Sequence, residues 1–456
     1  MLGKIKLFCG TCAAAMIAAS GPTLAETAAV SAPYLSAPQA AAPKFLSPLS
    51  NTPKPGHFST HLRVSAQANV QPASASGPPY PNYLIETPAS LACIYRLVTV
   101  ASGCNPNVVT TVTTGGSKAI ALVDAFDYPQ AASDLNKYIA QFGLAAADFT
   151  VIYGTGNPAS GCANGSKPAT DTTGWSVEAA LDIQMAHAMA PSAKIYLVEA
   201  ASSSFADLNN AVAVAAKCVQ AAGGGEISMS YGAFEFSGEN TYDSLYTAAN
   251  VAYFASSGDS PGVEYPSASP NVFGVGGTSI IRDQTTGAFE SEIAWHDPYA
   301  VYGANMRDGT GGGISAYEPR PSYQDGIAAV VGSGRGVPDL AAIADPYLDG
   351  VWIYNTSLVG GWTSVGGTSV ASPLVAGIVN RASFFWSSSL AGLTNIYNLA
   401  SQNTLNKYVT DVNSGICGPT KNFNGFGSGY DPAWIEAKTG ISWDPCTGWG
   451  SPHGNH

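Results

Sequence analysis

Residues 194–230 read KIYLVEAASSSFADLNNAVAVAAKCVQAAGGGEISMS, and this stretch decides the fold class. It begins with an apolar run, Lys194 to Val198, that predicts a buried strand. An alanine-rich segment from Phe205 to Ala222 predicts a helix, which the three following glycines would end. A second short run, Glu226 to Ser230, predicts the next strand. Strand, helix and strand in this order predict two parallel strands joined by a helix.

The same alternation continues on both sides of this stretch. Further strands are predicted at 119–123, 150–153, 253–256 and 272–275, and further helices at 130–142, 176–190 and 370–385. The chain from about residue 83 to residue 456 is therefore predicted to be one α/β domain. We expect a mostly parallel, twisted sheet with helices on both faces and a site at the carboxyl ends of its strands.

The N-terminal part has a different composition. Residues 1–25 are typical of a secretory signal, with basic Lys4 and Lys6 before an apolar run that is too short to span a bilayer. Residues 26–82 are rich in Ala, Pro and Ser, which predicts a weakly ordered linker or a short pro-segment. We expect secretion to the periplasm or the medium and no membrane segment after cleavage.

Charge and cysteine content narrow the class further. The net charge of −12 argues against nucleic-acid binding, which requires a basic surface. Beyond the leader, which holds Cys9 and Cys12, six cysteines in an oxidising compartment predict disulfides. Cys93–Cys104 and Cys417–Cys446 are local candidates that would leave Cys162–Cys218, although the spacing does not fix this pairing. We expect the mature protein to be a monomer.

A candidate nucleophile lies in the stretch Gly366-Gly-Thr-Ser369-Val-Ala-Ser-Pro373. The glycines permit a tight turn, and the predicted helix places Ser369 at its N-terminus. Backbone N–H groups there can stabilise an oxyanion. The alternative is an ordinary N-cap serine.

No histidine has the sequence context of a catalytic base. His57 and His61 fall in the predicted linker, and His453 and His456 lie at the C-terminus. The remaining two, His187 and His296, lack the His-Gly-Thr-His context of a subtilisin, so another group must accept the proton.

The predicted helix at 176–190 offers two carboxylates. Glu178 and Asp182 are four residues apart and share one face with Met185 and Met189. A face of this kind indicates a partly dry site, although exposed acids are the usual meaning of such spacing. A third acid, Asp259, follows a predicted strand in Ala255-Ser-Ser-Gly258-Asp259, where a turn aspartate is the alternative.

These three motifs, in this chain order, resemble those of the sedolisins, serine-carboxyl peptidases with a subtilisin-like fold. The resemblance implies that Ser369 is the nucleophile, Glu178 the general base and acid, and Asp182 the group that orients Glu178. It also implies that a protonated Asp259 stabilises the oxyanion, since only the acid form can donate a hydrogen bond.

The resemblance extends to binding residues. It places substrate-binding positions at Ser228, Ser230, Gly232, Gly312 and Gly313. It also implies one structural Ca²⁺, held by the side chains of Asp411 and Asp444 and the carbonyls of Val412, Gly440 and Ser442. Ser442 stands where the family usually has glycine.

Two features depart from the family pattern. Sedolisins usually carry a long folded prodomain, whereas fewer than 60 residues separate the predicted leader from the α/β pattern, which puts zymogen control in doubt. Asp124 lies where a subtilisin has its catalytic aspartate, and we interpret it as structural. The favoured function is an acid-acting serine-carboxyl peptidase. The alternatives are a conventional subtilisin-like enzyme that uses Asp124 and His296, and a catalytically inactive binding protein on a peptidase scaffold.

Overall fold

The computed structural model describes residues 45–65, 77–80, 83–99, 102–296, 309–346, 348–415, 417 and 442–454. The predicted signal, residues 1–25, lies outside this part of the chain. No helix among the described residues is both long enough and apolar enough to cross a membrane.

Seven α-helices occur in the described part of the chain. They are α1 Pro88–Ile94, α2 Ala131–Phe142, α3 Trp175–Met189, α4 Phe205–Ala221, α5 Ala328–Val331, α6 Thr368–Arg381 and α7 Ser389–Ser401. The strands of the described ranges are β1 Phe45–Leu46, β2 Ser59–Thr60, β3 Arg63–Ser65, β4 Ala119–Ala125, β5 Asp148–Tyr153, β6 Lys194–Ala200, β7 Gly225–Met229, β8 Tyr231–Phe234, β9 Val251–Ser256, β10 Glu264–Tyr265, β11 Phe273–Arg282, β12 Phe289–Ala294, β13 Gly313–Pro319, β14 Gly334–Val337, β15 Leu340–Ile343, β16 Val351–Asn355, β17 Gly361–Gly366, β18 Val409–Thr410 and β19 Ser451–Pro452.

The central sheet has the predicted parallel character. Its strands follow the order β12-β11-β9-β7-β4-β6-β5, and β15 also pairs with β11. Among these described strands, each pair is parallel except β11 with β12. The strand–helix alternation read from the sequence therefore gives the expected α/β sheet.

Helices cover both faces of this sheet because successive residues of each strand point to opposite faces. On β4, Ala121 and Val123 belong to the apolar cluster that contains α4. Ile120 and Leu122 belong to the cluster that contains α3 and α6. By the same alternation, Asp124 faces α3.

Helix α3 is buried along its whole length. It carries apolar residues on all of its faces, which is typical of a helix packed inside a domain. Its first turn is fixed by Asp171, whose carboxylate accepts hydrogen bonds from the N–H groups of Gly174 and Ser176. The predicted Glu178–Asp182 face is therefore enclosed by protein, as its two methionines suggested.

The N-terminal stretch 45–65 packs against the rest of the chain. Strand β2 pairs antiparallel with β8, and β3 pairs antiparallel with β17, which leads into α6. The sequence, rich in Ala, Pro and Ser, carried no signal for these strands.

The six cysteines form three disulfides, in the candidate pairing that the spacing alone did not fix. The bonded pairs are Cys93–Cys104, Cys162–Cys218 and Cys417–Cys446.

Candidate active site

Ser369 lies in the first turn of α6, which begins at Thr368, two residues before the start predicted from the sequence. Its hydroxyl donates to the carbonyl of Ser230 at 3.2 Å. The same hydroxyl accepts the N–H of His61 at 3.1 Å, and the N–H of Ser369 donates to the His61 carbonyl at 3.1 Å. Both polar groups of the candidate nucleophile are therefore engaged with the backbone of residue 61.

Glu178 and Asp182 lie one helical turn apart on α3, and both are fully buried. The Ser230 hydroxyl donates to Asp182 Oδ1 at 2.7 Å. Neither carboxyl oxygen of Glu178 has a hydrogen bond of normal geometry. The Ser369 hydroxyl is nevertheless close enough to act on its charge, as a loosely formed nucleophile–base pair would.

The electrostatics of this carboxyl pair are those of a desolvated site. Burial, together with the charge of Asp124, raises the pKa of Glu178 well above its ordinary value, while the Ser369 hydroxyl lowers it. Burial, Asp124 and Glu178 raise the pKa of Asp182 in the same way, and Ser230 lowers it. Neighbouring buried acids share protons, so the group titrates together.

Asp124 belongs to this group of acids. It is buried at the end of β4, on the face that carries α3, and its two carboxyl oxygens lack hydrogen-bond partners. The sequence predicts a structural role for Asp124, and in the structure its charge acts on both Glu178 and Asp182. The two-residue alternation of β4 was the signal that could have placed it there.

Asp259 follows β9 at the carboxyl edge of the sheet, as predicted. Its Oδ1 accepts the N–H of Thr368 at 2.7 Å and the hydroxyl of Thr368 at 3.0 Å. Its Oδ2 lies 3.3 Å from the guanidinium of Arg63. An oxyanion needs a donated hydrogen bond, which only the acid form of Asp259 could supply.

Residues Phe58 to Val64, here called the cleft segment, cover the candidate nucleophile. All seven are buried, and Ser369 itself has no exposed surface. Gly367, the residue before α6, lies close to both the His61 carbonyl oxygen and Asp259 Oδ2. A Cβ added to Gly367 would be 2.0 Å from the first oxygen and 2.7 Å from the second. The cleft segment therefore fills the space in front of Ser369.

His61 is the site residue that sequence reasoning missed, since it was assigned to the linker. Its Nδ1 lies 2.7 Å from the Ser256 hydroxyl and its Nε2 lies 2.8 Å from Glu264. Burial, the largest single effect, lowers the pKa of His61, but the charge and hydrogen bond of Glu264 and the charge of Asp259 together outweigh it, so the pKa is raised. No sequence motif indicated this contact.

A cavity of about 720 Å³ adjoins the cleft segment. Its walls come from residues 51–57 before the segment, from β8 and from the two stacked rings of Phe205 and Phe236. The cleft is therefore wider than the segment that occupies it.

The predicted substrate-binding residues fall at different places. Ser230 contacts both Asp182 and Ser369, and Gly232 pairs with Ser59 of the cleft segment. The hydroxyl of Ser228 instead bonds to Ser372 on α6 at 2.8 Å, beneath the cleft.

The loop predicted to face this edge lies beside the Asp259 turn. The N–H of Gly312 donates to the carbonyl of Gly262, and Gly313 pairs with Val337 of β14.

The remaining internal histidines lie elsewhere. His187 bonds to the Ala145 carbonyl at 2.9 Å, in agreement with the structural role expected for it. His296 forms a backbone bridge with Gly309. The titratable group on which the Ser369 hydroxyl acts is the carboxyl of Glu178.

The described part of the predicted calcium site contains Asp411, Val412, Ser442 and Asp444, whereas Gly440 lies outside the described residues. Asp411 Oδ2 is buried without a hydrogen-bond partner, and the charge of Asp411 acts on Asp444. Burial raises the pKa of each of these two acids to about 6. Two neighbouring half-buried acids, one of them with an unsatisfied oxygen, fit a hard cation. Groups of three or more acidic, His or Cys side chains that could hold a metal are absent from the described ranges.

Comparison with known proteins identifies the family. A scan against protein-family models gives no match. The chain is 30% identical over 348 residues to kumamolisin of Bacillus sp. (strain MN-32), which covers 71% of this chain and 56% of that protein. It is 34% identical over 217 residues to sedolisin of Pseudomonas sp. (strain 101), which covers 47% of this chain and 33% of sedolisin. The solved structure of Pseudomonas sedolisin, a serine-carboxyl proteinase complexed with pseudo-iodotyrostatin, matches with a TM-score of 0.61 and 25% identity, over 81% of this chain and 95% of that one.

The chain belongs to the sedolisin family. Its fold is accordingly the subtilisin-like α/β fold that was expected. This sedolisin-family chain spans about half the length, or less, of the curated relatives that it matches.

Proposed function

We propose that this protein is a serine-carboxyl peptidase that hydrolyses peptide bonds at acidic pH. One observation carries the proposal: the Ser369 hydroxyl lies beside the buried acids Glu178 and Asp182 while the backbone of His61 contacts both of its polar groups. A peptide bond presented in this manner is what a nucleophilic serine would attack.

The residues would act in the following order. Glu178 takes the proton of Ser369 as the hydroxyl attacks the carbonyl carbon of the substrate. The N–H of Ser369 and a protonated Asp259 donate to the oxyanion that forms. Glu178 then returns the proton to the leaving amine, and water hydrolyses the acyl-enzyme by the reverse sequence of proton transfers.

The cleft segment would hold the enzyme latent. It would keep water from Glu178, and its Arg63, paired with Asp259, would favour the charged form of that acid, which cannot donate. Displacement of the segment would admit water and substrate, lower the raised pKa of Glu178 and free Asp259 to accept a proton. Acidic solution favours that last step.

The test is a pH–rate profile on an unfolded protein substrate after incubation of the full chain at pH 4. We expect hydrolysis with a maximum below neutrality. Ser369→Ala should abolish it, and Glu178→Gln should lower kcat by roughly 10²- to 10⁴-fold, the usual contribution of a general base.

Two results would contradict the proposal. A rate maximum near pH 8 that His296→Ala abolishes would favour a conventional subtilisin mechanism. Complete inactivity of a folded chain from which the cleft segment has been displaced would favour a binding protein.

We also propose that the two acids Asp411 and Asp444 hold one structural Ca²⁺. The partnerless Oδ2 of Asp411 supports this assignment. Calcium should raise the melting temperature of the wild-type protein relative to a chelator, and Asp411→Asn should remove most of that increase. An equal increase in both proteins would contradict the site.

We further propose secretion with removal of residues 1–25, and action as a monomer on peptides or proteins. The basic and apolar pattern of that stretch supports the first point. N-terminal sequencing of protein from the culture medium or periplasm tests it, and light scattering tests the oligomeric state.

A further inference from the structure

The side chain of His61 occupies a defined pocket next to the nucleophile. Ser256 and Glu264 contact its two ring nitrogens, at 2.7 and 2.8 Å. Both residues are buried, at 0% and 7% exposure, and Ser256 ends the strand that leads to Asp259. The pocket is thus part of the catalytic edge of the sheet.

The walls of this pocket require small residues. A Cβ on Gly232 would lie 2.8 Å from the His61 ring and 2.7 Å from Glu264 Oε2. A Cβ on Gly258 would lie 2.8 Å from Glu264 Oε1. The two glycines therefore leave room for a ring and for the carboxylate that faces it.

The backbone of the cleft segment runs as a bound peptide would. Ser59 and Thr60 add an antiparallel strand to β8, the mode by which extended peptides bind a sheet edge. The carbonyl of the next residue, His61, accepts the N–H of Ser369. His61 therefore stands at the position of the residue whose carbonyl is attacked, here called P1.

We infer that the pocket formed by Ser256, Glu264, Gly232 and Gly258 selects histidine at P1 of the substrate. The inference rests on the proposed peptidase function and adds a substrate class to it.

The chemistry of the pocket matches an imidazolium ring. A protonated ring has two N–H donors, which suit the Glu264 carboxylate and the Ser256 hydroxyl together. Below a pH of about 6.5 a free histidine is mostly charged, so the ring would be a cation where an acid-acting enzyme works. Leucine or phenylalanine in the pocket would leave the buried Glu264 without a partner, which is costly. Lysine carries all of its N–H donors on one nitrogen, whereas the imidazolium ring carries one donor on each of two nitrogens. Lysine is therefore less suited to bonding Glu264 and Ser256 together.

The experiment compares peptides that differ only at P1, with His, Arg, Lys, Gln, Leu or Phe, at pH 4 with the incubated full chain. We expect kcat/KM for His to exceed that for Gln and Leu by at least tenfold. Glu264→Gln should reduce the advantage of His over Gln about tenfold or more, and Ser256→Ala should reduce it less. Glu290→Gln, which changes an exposed acid on β12, is the matched control and should keep the wild-type ratios.

A second measurement does not depend on activity. In the Ser369→Ala chain, NMR titration of His61 should show its pKa falling when Glu264→Gln is added. The charged groups that act on His61 are Glu264 and Asp259, which raise its pKa, and Arg63, which lowers it.

The outcomes separate the two claims. Hydrolysis without a preference for His, or ratios that Glu264→Gln leaves unchanged, would overturn the pocket assignment while the peptidase stands. A preference for Arg over His would overturn the choice of ligand. An enzyme that cleaves none of the peptides would reject the proposed function and the selectivity with it, while the titration of His61 would still report whether Glu264 faces the pocket.

Discussion

At the scale of single residues, the site depends on which hydrogen bonds its buried acids make. Asp182 accepts one hydrogen bond, from Ser230, whereas Glu178 and Asp124 have none of normal geometry. An unpaired buried acid is costly in its charged form, so the proton stays within the group. Such a group can return to the leaving amine the proton that it took from the nucleophile.

Ser230→Ala tests this arrangement. The variant removes the one hydrogen bond that lowers the pKa of Asp182, so that pKa should rise further. We expect a lower kcat with little change in KM. The part of the pH–rate profile that reports the ionisation of these acids should move to higher pH. Single-turnover rates measured from pH 3 to pH 8 provide the readout. An unchanged profile would mean that Ser230 has no influence on the acids.

At the scale of elements, strands β2 and β3 connect the N-terminal stretch to the catalytic edge. Between them lies His61, and at the start of β3 lies Arg63, paired with Asp259. Both partners of this ion pair are largely buried. Removal of one partner of a buried ion pair typically costs about 3–5 kcal/mol, because the other charge is left unpaired.

Arg63→Ala should therefore weaken the hold of the cleft segment. We expect the lag before peptide hydrolysis at pH 4 to shorten about tenfold or more, since Asp259 would lose its fixed cation. Lys54→Ala, in the same N-terminal stretch but exposed, should leave the lag unchanged. Equal lags in wild type and Arg63→Ala would argue against latency by this segment.

At the scale of the whole molecule, buried acids outnumber buried Lys and Arg side chains among the residues that the structure describes. Burial raises the pKa of Glu199 to about 7, of Glu318 to about 8 and of Glu239 to about 9, from an ordinary value of 4.5. Between pH 4.5 and those values the folded chain binds more protons than the unfolded chain. The free energy of unfolding must then decrease as pH rises through this window.

Thermal unfolding at pH 5 and at pH 8 checks this. We expect a clearly lower melting temperature at pH 8, with a loss of roughly 1–3 kcal/mol for each strongly shifted acid. Glu239→Gln should flatten the dependence, and the exposed Glu290→Gln should not. A melting temperature that increases toward pH 8 would mean that these acids are not protonated in the fold.

Local sequence was enough for the sheet, the helices and the acids of α3. Strand and helix periods repeat within a few residues, and Glu178 and Asp182 share a face by helical geometry alone. The turn before Ser369 and the one that carries Asp259 are equally local. Because each of these features depends on nearby residues, short motifs were enough to locate Glu178, Asp182, Asp259 and Ser369 on their elements.

Only the tertiary structure decided what occupies the cleft. His61 contacts Ser369, 308 residues away in the chain, and Glu264, 203 residues away. Neither contact produces a recognisable sequence pattern in a stretch rich in Ala, Pro and Ser. An added edge strand is held by backbone hydrogen bonds, which many different side chains permit. The place of Asp124 beside the two acids likewise depended on how β4 and α3 pack, because the alternation along β4 indicates only which residues share its face of the sheet.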